Sequence, residues 1–105
     1  EARRTWTRRD LIGRMLRRML AKKEIGGKHT EIHNLYQGLP DHVRGDAKEG
    51  VDLLVKEGVL RRKPTTKDEH VSIEPSFVRV VEDLIEGRPL PPNIGRWLDE
   101  APVTR

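Results

Sequence analysis

A chain of 105 residues with a formal net charge of +4 and no cysteine is sized for one core, and the missing cysteine excludes disulfide frameworks, thiolate metal sites and thiol nucleophiles. No apolar run approaches the roughly 20 residues that span a bilayer, and arginines stand where a signal peptide would carry its apolar core, so a cytoplasmic protein is expected. The positive charge is local: residues 1–28 hold ten Lys/Arg against three acids, whereas residues 29–105 hold eleven against fourteen. A surface for nucleic-acid phosphates is therefore expected around the first helix and the basic strand further on. The charged fraction of 36% has a second reading, adaptation to a high growth temperature. The chain opens at Glu1, as an excerpt of a longer protein or a trimmed form would.

Thr7 with Asp10 resembles a capping box and opens the first helix. Leu11, Ile12, Met15, Leu16, Met19 and Leu20 recur at helical spacing and make a wide apolar stripe. Arg8, Arg9, Arg14, Arg17, Arg18, Lys22 and Lys23 take the other side, as a phosphate-tracking surface or as a solvated face. Gly26 and Gly27 are expected to end this helix. Lys28, His29 and Thr30 form a link for which a short extended piece is one reading; Thr30 is also the expected N-cap of a short second helix buried through Ile32, Leu35 and Tyr36. Gly38-Leu39-Pro40 closes it, and Asp41 is expected to cap the third.

The third helix follows Val43, Ala47, Val51, Leu54 and Val55, carries Gly50 as a packing glycine, and stops at Gly58. Val59-Leu60 and Val71-Ile73 lie in two extended runs joined by a loop from Lys63 to Glu69, which predicts a β-hairpin. Pro75 and Ser76 start a fourth helix with the stripe Phe77, Val80, Val81, Leu84 and Ile85. That stripe covers the domain's own core or makes a dimer interface. Pro89, Pro91 and Pro92 predict an extended arm, whose Ile94, Trp97 and Leu98 need a surface on the same subunit or a neighbour.

Two helices across a tight turn, followed by a hairpin with a basic first strand, resemble the winged helix-turn-helix superfamily over Thr7 to Ile85. The segment VDLLVKEGVLRRKPT resembles the helix-to-wing junction of many prokaryotic, especially archaeal, transcription regulators. The resemblance implies a mainly α fold with a small β-hairpin wing: a three-helix core, a two-stranded wing and an additional C-terminal helix. It divides the chain into a winged-helix domain over 1–87 and a proline-rich arm over 88–105. It also implies double-stranded DNA as partner, with the third helix in the major groove and the wing on phosphates or the minor groove. Carried over residue by residue, the helix candidates are His42, Arg44 and Lys48, with Asp52 as a further position. The wing candidates are Arg61, Arg62, Lys63, Thr65, Thr66 and Lys67. Arg3, Arg4, Arg8 and Arg9 would add phosphate contacts, and His29 and Thr30 would sit near the backbone. The expected protein is a transcription regulator or a DNA-binding module of a larger DNA-processing protein, with a homodimer through the C-terminal helix or arm, or a protein partner in a larger complex.

Asp46, Glu49, Asp52 and Glu57 on the third helix oppose that reading, because each would meet phosphate at close range. They favour an alternative, a winged-helix module that binds protein; structured RNA, recognised by shape, is a further alternative. Ser72 and Ser76 lack a nucleophile-elbow context, and Gly26-Gly27 lacks the form of a phosphate loop. His29 and His33 are spaced for one helix face, yet no third ligand stands at a diagnostic spacing beside them, His42 and His70 included. No enzymatic activity, cofactor or metal is therefore expected.

Overall fold

In a computed structural model, which describes residues 7–64 and 68–100, the Thr7 hydroxyl accepts the Asp10 N–H and starts helix α1, Arg8–Ala21. Leu11, Ile12, Met15, Leu16 and Met19 are all buried, as the stripe requires. The helix ends before the two glycines: Lys22 caps it and Lys23 takes a left-handed φ of 56°. Gly26 serves a different purpose, since at φ 65° its N–H donates to the Ile73 carbonyl and joins this segment to the sheet.

Thr30 is not a helix cap. It forms strand β1, Thr30–Glu31, and lies opposite Val71, because pairing with a distant strand satisfies its backbone better than a one-turn helix does. The expected second helix is a 3-10 turn, Ile32–Tyr36, that still buries Leu35 and Tyr36. Helix α2, Asp41–Lys56, follows Pro40 and has no side-chain cap. Asp41 lies within its first turn, where a carboxylate suits the positive end of the helix. Val43, Ala47, Val51 and Leu54 face the core, and Gly58 reverses the chain at φ 87°. A Cβ on Gly50 would collide with Ile12 Cδ1 and sit 3.0 Å from Trp97 Cη2, so Gly50 is the packing glycine through which α2 meets its neighbours.

Strands β2, Leu60–Pro64, and β3, Glu69–Ile73, pair antiparallel. With β1 they make a three-stranded sheet in the order β1-β3-β2, so the hairpin is not a separate two-stranded element. Its register puts Leu60 opposite Ile73 and Arg62 opposite Val71, and puts Arg61 opposite Ser72 and Lys63 opposite His70. Side chains alternate along a strand. Leu60, Arg62, Val71 and Ile73 therefore face the core and α2, while Arg61, Lys63, His70 and Ser72 share the outer face.

A 3-10 turn, Pro75–Phe77, capped by the Glu74 carboxylate, leads into helix α3, Val78–Glu86. Val81 and Leu84 are buried and α3 packs along α1, so this stripe covers the chain's own core. The tail meets the expectation that Ile94, Trp97 and Leu98 dock on the same subunit but departs from it in being helical from Pro92 on. Pro92 occupies the first turn of a helix α4, Pro92–Leu98, a position where its missing N–H costs nothing. Ile94 and Leu98 are buried in the same core as α1 and α2. The architecture is mainly helical with one small antiparallel sheet, and among the described residues no helix is long and apolar enough to cross a membrane.

Tyr36, the single tyrosine, reports on this packing. Burial, reinforced by Asp52 and Glu69 and partly offset by Arg62, pushes its hydroxyl up to about 12. Phenolate absorbance should therefore appear near that pH, well above the roughly 10 of a solvated tyrosine. A titration midpoint near 10 would mean that the turn does not bury this ring.

Candidate nucleic-acid interface

Helix α2 sorts its charges by face. Asp46 and Glu49 turn toward the start of α1, where the Arg8 guanidinium lies 3.5 Å from each. Glu49 also accepts the Trp97 indole N–H at 2.6 Å, and Glu57 accepts from the Asn93 amide at 3.3 Å. Asp52 is met from the sheet: Arg62 donates to it at 2.6 Å and lies 3.4 Å from Glu69. The carboxylate bond to Asp52 raises the Arg62 pKa further. All four acids that opposed a DNA role are therefore held by partners inside the fold.

The exposed stripe that remains on α2 contains Arg44, Gly45 and Lys48, one turn apart. Arg44 donates to the Leu39 carbonyl at 3.3 Å and lies 3.7 Å from Asp41, so its stem is oriented while its head stays at the surface. With Tyr36, Gln37, Asp52 and Glu69, Arg44 and Lys48 border an open groove of about 630 Å³ between α2 and the 3-10 turn. His42 is exposed at the start of the helix.

The candidates on the hairpin do not form one surface. Arg62 faces α2 and is held by Asp52 and Glu69. Arg61, 3.6 Å from Glu74, and Lys63 stand on the opposite face of the sheet. Thr65, Thr66, Lys67, Arg3 and Arg4 lie outside the described residues.

Two arginines assigned to phosphates from the sequence are structural. The Arg8 side chain is only 13% exposed, donates to the Trp97 carbonyl at 3.0 Å and to Glu100 at 2.8 Å, and lies 4.2 Å above the Trp97 ring. Its buried Nε has no hydrogen-bond partner among the described residues. Arg9 donates to the carbonyls of Asp83, Leu84 and Arg88, closing the C-terminus of α3, where a cation suits the negative helix end. Arg18 donates to the Gln37 carbonyl. The basic face of α1 is thus partly a set of clamps, and the sequence signal was the excess of carboxylates and helix ends elsewhere in the chain.

The histidines pair differently from their spacing. His33 contacts Glu31 at 3.0 Å, and one ligand atom from each of Glu31, His33 and Asp68 lies within 4.8 Å of the others. His29 instead meets His70 across the sheet: their Nδ1 atoms are 2.7 Å apart and the rings are edge-on. Partial burial first, then the Lys63 ammonium, then His70 hold His29 below the usual imidazole range. A value depressed by folding means that the unfolded chain binds more protons, so this contribution is complete above about pH 6.5 and is lost as pH falls through the folded value. The melting temperature should fall between about pH 7 and pH 5.5, and His29→Gln should flatten that loss. An unchanged pH profile in the variant would remove this account.

Among known proteins, no family model, curated sequence or solved structure matches the chain.

Proposed function

We propose that this chain is a winged-helix module that binds double-stranded DNA, with the exposed stripe of α2 entering the major groove. The order helix, short strand, turn, helix and hairpin, with the sheet order β1-β3-β2, supports that fold reading. The observation that carries the ligand reading is the charge sorting on α2. Asp46, Glu49, Asp52 and Glu57 all have partners elsewhere in the fold, which leaves Lys48 and Arg44, the latter 3.7 Å from the exposed Asp41, as the cations of this helix face. Lys48 supplies phosphate attraction, and the planar fork of Arg44 can read a guanine edge. A transcription regulator and a DNA-binding part of a larger protein would use this surface alike.

The test is a fluorescence anisotropy titration with labelled random duplex, single strand and RNA hairpin at several salt concentrations. The duplex should bind tightest, with log affinity falling linearly against log salt. Equal binding of all three would leave only a basic surface; preference for the hairpin would move the assignment to RNA.

A further inference from the structure

The outer face of the sheet holds a second cationic site, separate from α2. A groove of about 330 Å³ is lined by Gly26, Gly27, His29, Ser72 and the strand residues Arg61, Arg62 and Lys63, the Arg62 guanidinium being held by Asp52. A Cβ at Gly27 would meet nothing within 4 Å, so the backbone there is open to a ligand. His70, opposite Lys63 in the register, reaches the groove through its hydrogen bond to His29. The acids nearby include Glu74, which is paired with Arg61, Glu31, which stands opposite His70 in the β1–β3 register and contacts His33, and Asp68, within 4.8 Å of Glu31 and His33.

We propose that this groove is a phosphate site, in which Arg61, Lys63 and the His29–His70 pair receive one terminal, dianionic phosphate group and take up a proton as it enters. The proton follows from the hydrogen bond. With the two Nδ1 atoms 2.7 Å apart, one ring donates and the other must keep a lone pair, so the pair carries at most one positive charge while the bond lasts. Lys63 opposes even that charge. A dianion reverses the balance: it compensates Lys63 and Arg61, accepts an Nδ1–H in place of the second ring, and lets both imidazoles hold a proton. The depressed affinity of His29 for protons in the free protein fits that arrangement. The proposal does not depend on the α2 reading, because Arg61 and Lys63 point away from that helix.

The experiment is an NMR titration of the chain at constant ionic strength, following the imidazole and backbone signals of the sheet. Sulfate comes first, because it stays dianionic where histidine titrates and separates protein protonation from ligand protonation. We expect saturable shifts at His29, His70 and Lys63, with affinity rising at least about fivefold from pH 8 to pH 6. Lys63→Ala should weaken sulfate about tenfold, as removal of a charge-assisted hydrogen bond does; the position is exposed, and unchanged core signals would show that the variant is folded. Inorganic phosphate and a duplex with or without a 5′-phosphate then identify the source. Shifts with inorganic phosphate alone assign a small free phosphate, and shifts that need the 5′-phosphate assign a nucleic-acid end. Absence of saturation, a pH-independent affinity, or equal binding by Lys63→Ala would overturn the proposal.

Discussion

Replacing Arg44 and Lys48 together by alanine is expected to weaken duplex binding by about 2 kcal/mol or more, roughly thirtyfold, and to reduce the salt slope by about one for each phosphate that is no longer neutralised. Both side chains are exposed on α2 and contribute little to the core, so the thermal transition should stay where it is. The acids of the same helix should behave differently. Glu49→Gln removes a charge but keeps an oxygen for the Trp97 indole, and that carboxylate already lies beside Arg8. Its effect on duplex affinity should be under about twofold, since this carboxylate is turned to Arg8 and Trp97 and not to the stripe of Arg44 and Lys48. A large gain in affinity from Glu49→Gln would mean that this acid faces the phosphates, and the sorting of α2 would no longer support a DNA role.

Trp97→Ala should cost the fold about 2–3 kcal/mol, below the usual range for a fully buried tryptophan because this ring is only partly covered, and should lower the melting temperature by roughly 10–20 °C. The ring fills the space over Gly50 and supports the Arg8 guanidinium, and its indole donates to Glu49. Removing it also frees Arg8 and the acids around it, so Ile94 and Leu98 lose the clamp that keeps α4 against α1 and α2. Chemical denaturation followed by far-ultraviolet circular dichroism measures the effect. A shift of under about 0.5 kcal/mol, the size of an ordinary surface substitution, would mean that α4 is an appendage instead of a part of the core.

Local signals were legible in the sequence. The Thr7–Asp10 cap, the stripe of α1, the stop at Gly58 and the two runs of the hairpin all depend on residues within a few positions of one another, and the structure contains each. Gly50 was legible for the same reason: a glycine inside an amphipathic helix is costly unless something packs against it. Features that depend on distant partners were not. Nothing near Thr30 announces that its strand partner is Val71, and proline spacing near residue 90 fits an extended arm as well as it fits the first turn of α4.

The candidate site divides along the same line. Arg44 and Lys48 could be picked from α2 alone, but the partners of its four acids come from α1, α4 and β2. Arg8 and Arg9 looked like phosphate ligands because isolated arginines at a basic N-terminus do; their acceptors, Glu49, Glu100 and the end of α3, lie far along the chain. Alternation along β2 could have separated Arg62 from Arg61 and Lys63, had the register with β3 been known. Likewise, the His29–His70 contact needs the sheet to bring the two rings together.

The most direct measurement is amide chemical-shift mapping of the chain on addition of a short duplex. Shifts concentrated on Asp41, Arg44, Gly45, Lys48 and the facing turn at Tyr36 and Gln37, and fading as salt is raised, are the predicted result. Shifts confined to the exposed arginines of α1, or an unchanged spectrum at low salt, would contradict the assignment of α2 as the DNA-contacting helix.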